Sequence, residues 1–162
     1  MQEAFGHRAA PAAPPATADT PVDAVDSPAP AAPGSPEAAV ALLDAFLADL
    51  DAVVHRPAPL ERGFALGTGA WPLHVGARAV GGLLELQAEV APPGAVDAAW
   101  LLHRNRRDVR VVRYASSAEG ATWVHGDLVL SAVSPATLDD VLARMLGAAE
   151  EAAAVAVWPD WG

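Results

Sequence analysis

Apolar residues recur every three to four positions at Val40, Leu43, Phe46, Leu47, Leu50, Val53 and Val54, while Asp44, Asp49 and Asp51 fall mostly off that stripe. This spacing predicts an amphipathic helix. Ser35-Pro36-Glu37 opens it: a hydroxyl to cap free N–H groups, a proline where no N–H is needed, and an acid at the positive end of the dipole. The His55-Arg56-Pro57-Ala58-Pro59 stretch predicts its end, because residues before proline are driven out of the helical region.

The period then falls to two. From Pro72 to Arg78, Leu73, Val75 and Ala77 take one face and His74, Gly76 and Arg78 the other. After the hairpin signal Gly81-Gly82, Leu84, Leu86, Ala88 and Val90 alternate with Glu85, Gln87 and Glu89. One face is buried and one is wet, as in an antiparallel sheet with a single covered side. A further strand is expected around Phe64-Ala65-Leu66. Pro92-Pro93-Gly94 closes the hairpin, and Ala95 to about Arg107 reads as a short helix with Val96, Ala99, Trp100 and Leu102 or His103 facing inward. Arg104, Arg106 and Arg107 sit at its carboxyl end, where cations suit the dipole. Two more strands follow, Val109–Ala115 and Thr122–Leu130. In the second, Val124, Gly126, Leu128 and Leu130 oppose Trp123, His125 and Asp127. Ser134-Pro135 starts a last helix, with Asp139 and Asp140 expected in its first turn and Leu138, Val141, Leu142, Met145, Leu146 and Ala149 as its stripe. The order is helix, hairpin strands, helix, hairpin, helix: an α+β fold, an antiparallel sheet with helices packed on one face. No internal repeat of 20–50 residues is visible.

Composition divides the chain of 162 residues. Residues 1–35 hold seven of the 15 prolines, are rich in alanine, and have Phe5 as their one aromatic. They cannot bury enough surface to offset ordering entropy, so this stretch is expected to be a disordered, semi-stiff Pro/Ala arm. Residues 36–157 form the expected domain, and 158–162 a tail carrying Trp158 and Trp161. The arm has one base, Arg8, and prolines break every apolar run, unlike a secretory signal. No run approaches the ~20 apolar residues of a membrane span. With no cysteine, disulfides, thiolate metal sites and cysteine nucleophiles are excluded. Every lysine-or-arginine base is arginine, ten against 20 acids, for a net charge of −10. That balance argues against general nucleic-acid binding, which needs a basic footprint.

The segment Trp100-Leu101-Leu102-His103-Arg104-Asn105, the strand ending at Tyr114, the long strand with Trp123 and Val124, and the approach from Leu128 through Ser134-Pro135 into Leu138–Leu146 carry a resemblance. Over about residues 36–155 the chain resembles the type III secretion chaperones and the related YbjN-like domains. The resemblance implies a cytoplasmic homodimer that binds client polypeptides without ATP, neither enzyme nor cofactor carrier, with no small-molecule substrate and no membrane insertion. The YbjN-like side implies instead a regulatory or structural subunit of a larger assembly. The arm and the WPDWG end have no counterpart in that pattern.

The remaining constellations add little chemistry. His74, Arg78, Glu85 and Glu89 suit cross-strand charge pairing on a solvated face. A metal set of His74, Glu85, Glu89 and His125 is not enforced by any spacing. Gly67-Thr68-Gly69 lacks the lysine of a P-loop, and no G-x-S-x-G is present. Adjacent Asp139 and Asp140 point about 100° apart on a helix and cannot flank one bond. Arg104, Arg106, Arg107, Arg110 and Arg113 concentrate half the positive charge in ten residues, as helix-end compensation or as a rim for an acidic peptide. The expected protein-binding residues are therefore Trp100, Tyr114 and Trp123, rimmed by Arg104, Arg107 and Arg110. The terminal Trp158 and Trp161 either fold back on the domain or dock to a partner.

Overall fold

A computed structural model describes residues 31–69 and 71–158. Trp161 and the arm up to residue 30 lie outside the described residues. The first helix, α1 (Pro36–Asp49), starts as expected, with the Ser35 hydroxyl accepting the Ala38 N–H at 3.1 Å. It ends sooner than the stripe predicts. Asp51 takes a positive φ of 53°, and the Asp51 and Ala52 N–H groups turn back to the carbonyls of Ala48 and Leu47. This is a Schellman-type stop with aspartate where glycine is usual. Val53 is therefore exposed, and Val54 opens the two-residue strand β1 (Val54–His55) rather than extending the helix.

Five longer strands follow: β2 (Glu61–Gly67), β3 (Pro72–Val80), β4 (Leu83–Ala91), β5 (Val112–Ser116) and β6 (Thr122–Val129). They form one antiparallel sheet in the order β1-β2-β3-β4-β6-β5. β5 begins three residues later than expected because Val111 sits at φ 71°, outside strand geometry. Helix α2 (Ala98–Arg107) also starts three residues late, at the capping side chain of Asp97, which accepts the Ala99 N–H. Val96 and Ala95 are buried ahead of it, but within the helix Leu101 is the buried residue, while Ala99, Leu102 and His103 face solvent. Of the expected inward set Val96 is buried and Trp100 packs on the core, but Ala99, Leu102 and His103 do not, because α2 packs against β5 at the end of the sheet.

α3 (Pro135–Val155) opens with a capping box in which Ser134 and Thr137 exchange side-chain-to-backbone hydrogen bonds. Thr137, not an acid, occupies the first turn. Asp139 and Asp140 lie one turn further on, and Asp140 accepts from Arg144 Nε at 2.8 Å. Helices α1 and α3 pack on one face of the sheet, closing a core around Leu43, Leu47, Leu73, Leu84, Leu86, Val124, Leu138, Val141 and Met145. Small residues bring the layers close: Ala77, Ala79 and Ala88 from the sheet meet Ala39, Ala149 and Ala152 from the helices as part of the same cluster. Among the described residues, the opposite face of the sheet carries no helix.

Candidate functional site: the open face of the sheet

Strand alternation sends every second side chain to this uncovered face, and the register sorts them into lines. Gly63, Gly76, Gln87, His125 and Arg113 follow one another across five strands. On one side of that line Arg78, Glu85 and Asp127 are paired across β3, β4 and β6. Arg78 Nη2 donates to Glu85 Oε2 at 2.8 Å, and Arg113 forms an ion pair with Asp127. On the other side Glu89, Trp123 and Ala115 are in register, with His74 beside Ala65.

Two neighbouring glycines leave the face low at Gly63 and Gly76. A groove of about 630 Å³ opens over them, bounded by Val53, His55, Ala65, His74, Glu89 and Trp123. A second recess of about 350 Å³ lies past Trp123, against Ala115, Ser116, Ser117 and His125. The Trp123 ring is thus the ridge shared by both, with its centroid 6.4 Å from that of His125. Its indole N–H is buried and has no acceptor among the described residues. Burial, reinforced by Arg113, pushes the His125 pKa below its ordinary value, so the recess is neutral there at pH 7. Among the described residues no three acids and histidines gather to hold a metal ion. In particular Glu85 is engaged by Arg78.

The expected binding residues do not form one surface. Trp100 and Tyr114 pack together, ring centroids 5.6 Å apart, on the helix side of the sheet. Tyr114 is buried and donates its hydroxyl to the Ala148 carbonyl at 2.8 Å, and burial raises its pKa. Trp123, one residue before the Val124 that pairs with Tyr114, points to the opposite face. Arg104 stacks over Trp100 and is tied to Asp108 and Glu151. Arg107, the last residue of α2, and Arg110 beyond it are exposed. Trp158 is 51% exposed, and the preceding Val157 N–H bonds the Ala95 carbonyl at 2.8 Å.

Asn105 does something its sequence position does not announce. Its amide donates to the Tyr114 carbonyl at 2.9 Å and its oxygen accepts the Tyr114 N–H at 2.7 Å. These are backbone groups on the outer edge of β5, so the side chain occupies the place of a seventh strand. At the other edge, β1 covers β2 only at Gly63 and Phe64. Each edge is thus covered over part of its length, β5 at Tyr114 and β2 at Gly63 and Phe64. Asn105→Ala should cost about 1–3 kcal/mol, since it unpairs two half-buried backbone groups. Chemical denaturation and amide exchange check this: the Tyr114 amide should lose protection, and unchanged protection there would contradict the assignment.

No family model and no curated protein matches this sequence. Solved structures do. A chain of the HopA1–SchA chaperone–effector complex superposes with a TM-score of 0.56 at 14% identity, covering 71% of this chain and 92% of that one. The Yersinia pestis type III secretion chaperone SycH, in complex with a fragment of YscM2, gives 0.54 at 15% identity over 70% and 98%. The ExoU–SpcU heterodimer from the type III secretion system of Pseudomonas aeruginosa gives 0.54 at 14% over 70% and 97%. The fold is that of the type III secretion chaperones. Identity at this level speaks for the secretion-chaperone fold alone; the residues of the open face are this chain's own.

Proposed function

We propose that this secretion-chaperone-like chain is a non-catalytic protein-binding module that holds an extended segment of another polypeptide, working as a homodimer. The observation that carries this reading is the sheet that the described helices cover on one side only, with a glycine-floored groove beside Trp123 on its other side. An extended segment has what the groove lacks: alternate side chains to fill the hollow over Gly63 and Gly76. The short cover of β1 leaves β2 open to a further strand. Solved chains of the same fold occur in a chaperone–effector complex and in a heterodimeric complex of a type III secretion system, which agrees with a polypeptide partner. For the dimer, Leu102 on α2 (69% exposed) and Val111 before β5 offer exposed apolar side chains.

Gly76→Val tests the reading without disturbing the fold. A Cβ there meets only Gln87 atoms, at 3.8 Å or more, so the chain itself has room for it. Partners cross-linked to the tagged protein and identified by mass spectrometry should attach through an extended segment, and Gly76→Val should abolish that attachment with an unchanged circular dichroism spectrum. Equal capture by both proteins would refute the groove. Light scattering should give twice the 16.6 kDa chain mass, and a monomer would remove the dimer.

A further inference from the structure

The groove combines a flat floor with one unbalanced charge. Gly63 and Gly76 stand directly opposite each other, so the floor is bare backbone two strands wide. It steps up on either side, at His55 opposite Gly63 on β1 and at Gln87 opposite Gly76 on β4. A Cβ on Gly63 would come no nearer than 3.8 Å to His55, and one on Gly76 no nearer than 3.8 Å to Gln87, so the hollow has room for a foreign group. A broad, shallow floor suits a flat one. An aromatic ring laid over paired glycines covers the peptide groups of both strands at once, which a branched aliphatic side chain does not.

Elsewhere on this face the charges are matched. Arg78 pairs with Glu85 and lies opposite Glu61, and Arg113 pairs with Asp127. Glu89 differs: it is exposed, it is the carboxylate that borders the groove, and it forms no ion pair among the described residues. Trp123 is its register partner on β6, so a cation held at Glu89 also lies beside an indole ring. Glu89 is two residues past Gln87, which places it one row, about 7 Å, along the strands from the glycines. Side chains two apart on an extended segment are separated by the same distance, about 7 Å.

We propose that the groove binds an extended polypeptide segment carrying an aromatic residue and, two positions away, an arginine or lysine, with the ring over Gly63 and Gly76 and the cation at Glu89. The inference rests on the function proposed above and names what that partner must carry. At the rim the ion pair stays in contact with water, so it selects the partner at little desolvation cost. The net charge of −10 favours the approach of a basic segment.

Displayed random linear peptides, panned on the full chain and counter-selected on Gly76→Val, test this. Peptides kept by the wild type alone should be enriched in Phe, Tyr or Trp with Arg or Lys two positions away. In a selected peptide, replacing the aromatic by alanine should weaken binding more than about tenfold. Glu89→Gln should weaken it about two- to fivefold. Panning on Glu89→Arg should turn the basic position acidic and keep the aromatic. Peptides that depend on Gly76 but carry no aromatic, or whose basic preference survives Glu89→Arg, would overturn this inference and leave the groove standing. If no peptide distinguishes the wild type from Gly76→Val, the groove itself falls, and the inference with it.

Discussion

Gly126→Ala should lower the unfolding free energy by about 1–3 kcal/mol, and Gly126→Val by more, by forcing excess volume into a closed core. Gly126 lies on the helix side of β6 beneath α3. A Cβ there would stand 2.6 Å from Val141 Cγ2, 3.4 Å from Val112 Cγ1 and 3.6 Å from Met145 Sδ. Val141 and Met145 are both fully buried, and Val141 is β-branched on a helix with one favoured rotamer, so relief requires α3 to move off the sheet. Alanine's restriction of the unfolded chain offsets less than about 1 kcal/mol of this. Gly76→Ala, on the same sheet but the open face, is the control and should be neutral or stabilising. If urea denaturation shows the two alanine variants alike, α3 does not rest on Gly126.

Asp44→Ala should cost about 2–3 kcal/mol at pH 7 and almost nothing in strong acid, because it strands a buried guanidinium. Arg62 is 8% exposed on the helix side of β2. Its Nε and Nη2 donate to the two Asp44 oxygens at 2.7 and 2.9 Å, and its Nη1 donates to the Glu61 and Pro59 carbonyls at 2.7 and 3.1 Å. One side chain thereby fastens α1, β2 and the loop between them. The hydrogen bond from Arg62 holds the Asp44 carboxyl below its ordinary pKa, against the opposing effect of burial. Folding therefore favours the ionised form. The stabilisation is complete above the unfolded pKa, about 4, and is lost as falling pH passes the lower folded value. Wild type and variant should differ in denaturation midpoint at neutral pH and converge in acid. An equal gap at both pH values would show that the pair is not the source.

The α+β order was legible because both hydrophobic periods are clean: the strand faces of β3, β4 and β6, the stripe of α1 as far as Leu47, and that of α3 stand in the structure as the alternation predicts. Three things were not. The stop of α1 depends on Asp51 adopting a conformation that glycine would have announced. The orientation of α2 depends on its place at the end of the sheet, which no periodicity in a helix of alanines and arginines reports. The candidate surface depended on register. Alternation alone separates Trp123 from Val124, but only the pairing of Val124 with Tyr114 puts Tyr114 and Trp100 on the helix side. Likewise Gly63 and Gly76 read singly as weak strand residues, and become a floor only when β2 and β3 bring them side by side.

The hydrogen bond from Val157 to Ala95 ties the last described residues to the loop that launches α2. Only Ala156 separates the end of α3 from that tie, so the linkage is short and has little slack. A pull on whatever follows Trp158 is delivered to the start of α2 as well as to α3. Load applied past Trp158 therefore reaches α2 and α3 together.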